Sequence, residues 1–528
     1  MKTYQEHLKS VLSYGETVSS TRKPVFRSSA IFPVIENGIF STQILFMGYW
    51  LKKRNIPEVT ILVTLRDEIG SILLRKSLII NEVKAYKIPI ISCIQEAGRS
   101  NSNFIGSLEL EVFSTRDMVF PYPAFVVNYL SEFGSTVVHT TGRIYNDIED
   151  MIGNTAYRVP ESGFDIYSGA RNNPFFSFVN GVYDNSGKSI NYEIVDEDQN
   201  VTSGQIQLKK VMPYQSFFVM LKDHIDIDKI LGGKKGTIKL QLDFEGFFTR
   251  VIAGNFVDNK AVSITHTFYD SSSIKTDSAY LNNPNPELHD SYIFVPLFLE
   301  NDLYTHVVYY PIYSPSAYLM SIYFYDEPGN CLKKVEEWKS FSETDNLFFT
   351  LDINQIVKEN FQSEEITRVK GMLIANSWNN KGIPTRIKYG LNVGINNRPF
   401  NLPTNICFAP EISNPKILNK PGTFKWAPML NNSGSEIVIT NCGPNKTYTK
   451  PANITIEFYR ERDNEIISEC ISLLPHAQYH IHSKFNDLKE FFGDDTGWIT
   501  ISSDNPFVNA WYFDFNYETG VVAGDHSF

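Results

Sequence analysis

The sequence predicts an all-β protein made of four tandem antiparallel β-sandwich domains. The chain has 528 residues, of which 14% are aromatic and 20% are charged, and its abundant Phe, Tyr, Ile, Val and Thr favour strands. Short segments alternate apolar and polar residues, as strands with one buried face do. Turn markers recur at a spacing close to one quarter of the chain (528/4 = 132).

An acidic turn follows an apolar segment four times. The turns begin at Asp67, Asp196, Asp326 and Asp463, which are 129, 130 and 137 residues apart. Asp, Asn and Gly favour the conformations that a tight hairpin requires. We therefore predict a structural role for these four aspartates at one repeated hairpin.

Three further markers recur at a similar spacing. A glycine precedes an alternating strand at Gly106, Gly236, Gly371 and Gly497. A proline opens a strand at Pro89, Pro213 and Pro475. A last strand ends in a histidine at His139, His266 and His526, and Cys407 aligns loosely with these in the third repeat. A residue that recurs once per domain favours a structural role, in which a ring nitrogen bonds a turn carbonyl. Ligand contacts at the domain junctions are the alternative.

The markers define the domain boundaries. They predict an N-terminal extension at 1–27, sandwiches at 28–142, 173–270, 291–394 and 423–528, and linkers at 143–172, 271–290 and 395–422. The last linker contains five prolines, which stiffen a chain. One large β-barrel or a propeller is the alternative architecture.

The fourth repeat carries an ordered series of motifs. Phe458-Tyr-Arg-Glu-Arg-Asp-Asn is followed by Leu474-Pro475, by the segment 485–492 and by Gly497-Trp-Ile-Thr-Ile-Ser-Ser-Asp-Asn-Pro. The series resembles the tandem immunoglobulin- or fibronectin-like β-sandwich repeats of bacterial surface or secreted proteins. That resemblance implies domains of this subtype and association with a bacterial cell surface, and it implies no reaction.

Composition limits the classes of partner and the compartment. The formal net charge of -11 argues against a nucleic-acid-binding protein, which usually has a basic face. No run of 18 apolar residues occurs, so we predict no membrane span. The N-terminus lacks the pattern of a signal peptide, which leaves a cytoplasmic protein or export by a non-classical route.

Cysteines and C-terminal histidines are the candidates for redox and metal chemistry. Five widely spaced cysteines predict reduced thiols, with one bridge between Cys442 and Cys470 left open. His480 and His482 would lie about 6.6 Å apart along one face of a strand. With His526 as a third ligand they could bind a divalent metal such as zinc. A polar, solvated strand face is the alternative.

Aromatic residues provide candidate ligand contacts. Trp426, Trp511 and His476 are the candidates for stacking on a ligand such as a glycan, and core packing is the alternative. The sequence as a whole predicts a non-enzymatic binding or structural protein without a cofactor. Its partner would be a protein or a surface glycan in a bacterium, with self-association possible. The alternatives are a metal-dependent or carbohydrate-active enzyme that uses the C-terminal histidines, and a subunit of a surface or viral assembly.

Overall fold

The computed structural model confirms the all-β class. It describes residues 24–99, 103–120, 123–139, 160–246, 251–269, 280–282, 289–312, 314, 316–343, 347–379, 382–384, 387–412, 420–430, 434–443, 448–482 and 486–528. Residues 1–23 of the predicted N-terminal extension lie outside this set. In the described residues, eight antiparallel sheets have four or more strands and a ninth has two.

Sandwich 1 is the first pair of sheets. Its strands are β1 (Arg27–Glu36), β2 (Ser41–Met47), β3 (Val59–Asp67), β4 (Ile72–Ile80), β5 (Ala85–Pro89), β6 (Phe104–Phe113), β7 (Val126–Ser131) and β8 (Gly134–His139), and its helices are α1 (Tyr49–Arg54) and α2 (Ile90–Glu96). The sheet orders are β1-β6-β3-β4 and β5-β2-β7-β8. Phe32 and Phe125 meet edge to face in the core between the sheets, with ring centroids 6.3 Å apart.

Sandwich 2 repeats this arrangement. Its strands are β9 (Glu161–Ser162), β10 (Asp165–Tyr167), β11 (Asn172–Val179), β12 (Ser189–Asp196), β13 (Val201–Gln207), β14 (Ser216–Met220), β15 (Lys235–Leu242), β16 (Ile252–Val257), β17 (Ala261–His266) and β18 (Phe268–Tyr269). A 3-10 turn (Leu221–Asp223) and helix α3 (Ile227–Leu231) follow β14. The sheet orders are β13-β12-β15-β9-β18, with β10 also on β15, and β14-β11-β16-β17.

Sandwich 3 is the longest of the four. Its strands are β19 (Tyr280–Asn282), β20 (Asp290–Pro296), β21 (Leu303–Tyr309), β22 (Tyr318–Tyr325), β23 (Cys331–Phe341), β24 (Phe349–Asp352), β25 (Gly371–Trp378), β26 (Gly382–Pro384), β27 (Tyr389–Ile395), β28 (Ile406–Phe408) and β29 (Glu411–Ile412). Helix α4 (Ile353–Asn360) and a 3-10 turn (Ile366–Arg368) follow β24. The sheet orders are β23-β22-β25-β20-β29 and β24-β21-β27-β28, and β19 pairs with β26.

Sandwich 4 has the fewest additions. Its strands are β30 (Thr423–Met429), β31 (Ser435–Asn441), β32 (Ala452–Tyr459), β33 (Ile466–Leu473), β34 (Gln478–His482), β35 (Gly497–Ser503), β36 (Val508–Phe515) and β37 (Val522–His526), and its helix is α5 (Asn486–Phe492). The sheet orders are β30-β35-β32-β33 and β34-β31-β36-β37.

All four sandwiches share one connectivity. We number the eight common strands of each sandwich s1 to s8 in chain order, which leaves out β10, β18, β19, β26 and β29. The two sheets then read s1-s6-s3-s4 and s5-s2-s7-s8 every time. The s3–s4 and s7–s8 pairs are hairpins, and a helix follows s5 in each case. The immunoglobulin constant order is ABED and CFG, so the strand order here differs from the predicted immunoglobulin-like arrangement.

Two segments predicted to be linkers, 143–172 and 395–422, contain strands instead. Strands β9 and β10 lie within 143–172 and pair with β15. Strands β28 and β29 lie within 395–422 and extend the sheets of sandwich 3. Polar and proline-rich composition predicted linkers, but short strands at sheet edges also tolerate such residues. In the linker 271–290, the described residues include β19 and the start of β20.

The chain divides into two compact units, each holding two sandwiches, with the boundary between Asp270 and Ser271. The N-terminal unit contains sandwiches 1 and 2, and the C-terminal unit contains sandwiches 3 and 4. Apolar residues of β36 in sandwich 4, including Trp511 and Phe513, belong to the same buried cluster as the core of sandwich 3. The two sandwiches of this unit therefore share apolar packing, unlike domains on a stiff linker.

One set of contacts joins the paired sandwiches in both units. Phe40 meets Phe256 in the N-terminal unit at 5.4 Å, and Phe298 meets Phe515 in the C-terminal unit at 5.3 Å. The s3–s4 hairpin of the first sandwich also contacts the start of s5 in the second. There, Ser216 N donates to Glu68 O, and Gln478 N donates to Glu327 O, both at 3.0 Å. The corresponding residues of the two units lie about 260 positions apart in the sequence.

Candidate functional site

The four predicted aspartates all lie at the s3–s4 hairpin, and three of them make the same turn. The carboxylate of the first residue accepts from the amide four positions later: Asp67 from Ser71 at 2.8 Å, Asp196 from Asn200 at 2.8 Å and Asp326 from Asn330 at 2.7 Å. Asp463 instead pairs with Arg460, two oxygens to two nitrogens, at 2.8 Å. These carboxylates therefore close hairpins, and nothing in their contacts suggests a ligand.

The predicted strand-end histidines make a shared local bond. His266 Nδ1 lies 3.1 Å from the carbonyl oxygen of Thr267, and His526 Nδ1 lies 3.0 Å from that of Ser527. Both histidines end an s8 strand, in sandwiches 2 and 4. In the N-terminal unit, the His139 and His266 rings meet edge to face at 4.2 Å. In both histidines Nδ1 therefore contacts the carbonyl of the next residue, and the structural role of the repeated position stays a prediction.

The predicted metal trio His480, His482 and His526 does not converge. His480 and His526 lie on β34 and β37, which are opposite edges of one sheet. Val438 and Trp511 stand between them in register. Three strand spacings separate the two histidines by about 14 Å, whereas zinc ligands lie about 2 Å from one ion. The prediction failed because the sequence could not show which strands are neighbours.

His480 instead contacts a carboxylate that sequence reasoning missed. Its Nδ1 hydrogen-bonds Glu436 Oε1 on the adjacent strand β31. Glu436 is opposite His482 in register, so Glu436, His480 and His482 share one face of the sheet. Within the described chain, however, their ligand atoms do not form a group with mutual distances below 4.8 Å. The alternation of β31 could have indicated an acidic residue on this face, but not its pairing with His480.

The Glu436–His480 pair resembles the carboxylate and histidine of a general base. A carboxylate that accepts from Nδ1 leaves the lone pair of the imidazole on Nε2, as in a general base. In the described structure, though, His480 Nε2 is buried and has no hydrogen-bond partner. The ring of Phe298, from sandwich 3, lies edge to face against the imidazole with centroids 6.4 Å apart. A substrate could reach this nitrogen only after the neighbouring side chains moved.

Tyr517 is a phenol whose pKa is affected by the Glu436 carboxylate of this pair. Burial raises its pKa, and the Glu436 carboxylate raises the pKa further. The phenol is therefore neutral at physiological pH and can serve as a donor but not as a base. It adds no second catalytic group to the histidine.

The tryptophans predicted to stack on a ligand are buried. Trp426 is 4% exposed and stacks on Phe528 at 5.7 Å, and Trp511 is 3% exposed and meets Phe408 edge to face at 5.4 Å. Neither indole offers a free face to a sugar. Phe528 covers Trp426, and Trp511 belongs to the same buried cluster as the core of sandwich 3.

His476, the third predicted ligand residue, lies where sandwiches 3 and 4 meet. Its ring stacks on Tyr325 of the s3–s4 hairpin with centroids 4.6 Å apart and planes 15° from parallel. Tyr448 meets it edge to face at 6.1 Å. Burial, with a smaller effect of the Lys334 charge, lowers the pKa of His476 to about 4. The imidazole is thus neutral and packs as an aromatic ring.

The N-terminal unit places different chemistry at the equivalent position. Arg66 lies over the ring of Tyr214 at 4.2 Å and pairs with buried Glu109 at 3.2 Å. Arg66 corresponds to Tyr325, and Tyr214 corresponds to His476. The positions match further in backbone conformation, since Tyr214 and His476 have φ angles of 61° and 64°. One unit therefore joins its sandwiches through a guanidinium that lies over a tyrosine ring, and the other joins them through stacked aromatic rings.

Comparison with protein-family models and with curated proteins finds no match to this chain. Among the described residues, no helix has the length and apolarity needed to cross a membrane.

Proposed function

We propose that the chain is a non-enzymatic binding or structural protein of tandem β-sandwiches, and that its partner is a protein. The observation that carries the proposal is a set of exposed aliphatic side chains at the s3–s4 hairpins and s4 edge strands. They are Ile69, Ile72, Ile79, Val201, Ile466 and Leu474. Edge strands present backbone donors and acceptors for an added strand, and side chains beside them provide specificity.

The same observations favour a protein over a glycan. Sugars stack on flat aromatic faces, and both candidate indoles are buried. The exposed residues of the edge strands are aliphatic, which suits an extended peptide with alternating side chains. A bacterial surface, or a surface or viral assembly, remains a prediction from the sequence.

A peptide selection tests the proposal. Random decapeptides would be selected on the immobilised full chain, and binding would be remeasured on variants Ile79→Lys, Val201→Lys and Ile466→Lys. We expect the selected peptides to alternate aliphatic and polar residues, and we expect each one to bind at least about ten-fold more weakly to the variant of the edge it uses. Peptides without alternation, or equal binding to the wild type and to Ile79→Lys, Val201→Lys and Ile466→Lys, would contradict the proposal. Saturable binding on a glycan array would support a glycan partner instead.

The enzyme alternative has its own test. The full chain would be incubated with panels of ester, peptide and glycoside substrates, with and without added zinc. We expect no turnover above that of His480→Gln, which keeps the size of the side chain but removes the imidazole. Turnover by the wild type that this variant loses would refute the non-enzymatic proposal.

A further inference from the structure

Strand β33 is the free edge of a sheet in sandwich 4. In the described structure it pairs with β32 and with no other strand. Its outward side chains Ser468, Cys470 and Ser472 are exposed. Cys470 is a free thiol, and Thr455 Oγ1 lies 3.7 Å from its sulfur. The bridge to Cys442 left open by the sequence is not formed, since both thiols are free.

The sequence of this edge is nearly symmetrical about Cys470. Residues 466–474 read Ile-Ile-Ser-Glu-Cys-Ile-Ser-Leu-Leu. An antiparallel pair of such strands with Cys470 opposite Cys470 would match Ile466 with Leu474, Ile467 with Leu473, Ser468 with Ser472 and Glu469 with Ile471. Residues directly opposite in antiparallel strands lie on the same face and interact. In this register apolar residues meet apolar residues at both ends, and no like charges are opposed.

The exposed apolar groups lie where this register needs them. Ile466 is 45% exposed and Leu474 is 61% exposed, and they flank the two ends of the edge. Large apolar side chains on an unpaired edge are a liability that monomeric proteins usually blunt with charges, bulges or proline. Here the only charged residue of the strand, Glu469, faces inward and bonds the Tyr479 hydroxyl of β34. The outward face thus has no charge that would repel a second copy.

The equivalent edges of the other sandwiches are protected. Strand β4 also has apolar ends, but the same symmetrical register would oppose Lys76 to Lys76. Strand β23 carries five charged residues, and its pairing with β22 is interrupted by two register shifts. Strand β13 is polar and has Gly204 at its centre, where glycine weakens a strand. Among the four s4 strands, β33 therefore combines apolar ends with an uncharged centre.

We propose that β33 pairs antiparallel with β33 of a second copy of the chain, about a two-fold axis at Cys470. The two four-stranded sheets then form one sheet of eight strands. Such a contact is isologous: each copy contributes the same patch, so the assembly closes at a dimer. The inference rests on the proposed function, because it names the protein partner of one edge as the chain itself.

Sedimentation velocity under reducing conditions tests the pairing. We expect the full chain to form a dimer that dissociates on dilution through the micromolar range. Cys470→Lys places two ammonium groups opposite each other on the axis and should weaken the dimer at least about ten-fold. Cys470→Ser is the matched control, since it keeps the size of the side chain without charge, and it should dimerise like the wild type. A wild type that stays monomeric at all concentrations, or a Cys470→Lys dimer as strong as the control, would overturn the proposal.

A charge exchange tests the register. Ile466→Lys should weaken the dimer, because the apolar contact with Leu474 of the partner subunit is lost. Adding Leu474→Glu to the same chain creates two opposite-charge pairs across the axis and should restore association. These two positions lie at opposite ends of one strand, so the rescue cannot arise within a single chain. A double variant that associates more weakly than Ile466→Lys would exclude this register.

Rapid oxidation adds a positional readout. With diamide as the oxidant, two Cys470 thiols lose their protons and two electrons and form one intermolecular disulfide. With the other exposed thiol removed by Cys331→Ser, we expect a covalent dimer from the chain that keeps Cys470, and none from Cys470→Ser with Ser468→Cys, because residue 468 faces residue 472. Efficient cross-linking of the displaced cysteine would overturn the register. The peptide selection described above is independent of these outcomes, so a monomeric chain could still bind peptides at its other edges.

Discussion

The half-buried histidine between sandwiches 3 and 4 makes the stability of the C-terminal unit sensitive to acid. His476 stacks on Tyr325, and burial lowers its pKa to about 4. Its ring neighbours Tyr325 and Tyr448 have raised pKa values and stay neutral, and the charge of Lys334 opposes protonation of the imidazole. Replacing His476 with tyrosine removes the titrating group. Tyr214 has a φ of 61° at the equivalent position, so this backbone conformation accepts a tyrosine.

The magnitude follows from proton linkage. An unfolded histidine titrates near pH 6.5, whereas the folded one titrates near pH 4, so the unfolded state binds more protons between these values. Stability from this group is present above pH 6.5 and is lost as the pH falls toward 4. The full loss is about 3 kcal/mol, and about 2 kcal/mol of it has occurred at pH 5.

Urea unfolding at pH 7 and pH 5 measures this difference. Five of the six tryptophans lie after residue 271, so indole fluorescence mainly reports the C-terminal unit. We expect the wild type to lose about 2 kcal/mol more than His476→Tyr between the two pH values. At pH 7 the His476 imidazole is largely neutral in both the folded and the unfolded wild type. The difference between the two proteins at that pH therefore measures the effect of the substitution on packing alone. An equal loss in both proteins would refute the linkage of His476 protonation to unfolding.

Three further substitutions test the contacts between the paired sandwiches, each by urea unfolding of the full chain. Arg66→Leu should lower the free energy of unfolding by about 3–5 kcal/mol, because it leaves Glu109 buried and unpaired. The double variant Arg66→Tyr with Glu109→Leu copies the C-terminal unit and should lower it by less than half as much. Equal losses would contradict the argument. Gly329→Ala adds a Cβ 2.5 Å from a backbone oxygen at a φ of 96°. The control is Gly187→Ala, where φ is 78° and the added Cβ meets open space. The first substitution should therefore lower the free energy of unfolding by at least about 1 kcal/mol more than the second. Phe298→Ala should lower the free energy of unfolding by about 3–5 kcal/mol. A loss below about 1 kcal/mol would show that the apolar packing between sandwiches 3 and 4 is not tight.

Local patterns were enough to locate the hairpins. The s3–s4 turn uses a carboxylate that bonds an amide four residues later, so Asp67, Asp196 and Asp326 mark it without help from distant residues. The glycine-led strands are all s6 strands, β6, β15, β25 and β35. The proline marker was less reliable. Pro213 and Pro475 precede an s5 strand, but Pro89 ends one, because a proline can begin or end a strand.

The candidate site depended on which strands become neighbours. His480 and His482 were correctly expected on one face of a strand, since alternation alone fixes that. Their distance from His526, and the contact of His480 with Glu436, follow from the order β34-β31-β36-β37, which no local pattern encodes. Likewise Trp511 was a candidate for stacking on a ligand, yet it belongs to the same buried cluster as the core of sandwich 3.

By itself the sequence determined the all-β class, the repeated hairpins and the position of each strand-end histidine. These features rest on contacts a few residues apart or on the two-residue alternation of a strand, so they can be read along the chain. The tertiary structure alone decided the strand order, the grouping of sandwiches in pairs, and the use of a cation over a tyrosine ring in one junction and stacked rings in the other. Those features join residues from about 40 to more than a hundred positions apart, where burial and packing, rather than local conformation, select the partner.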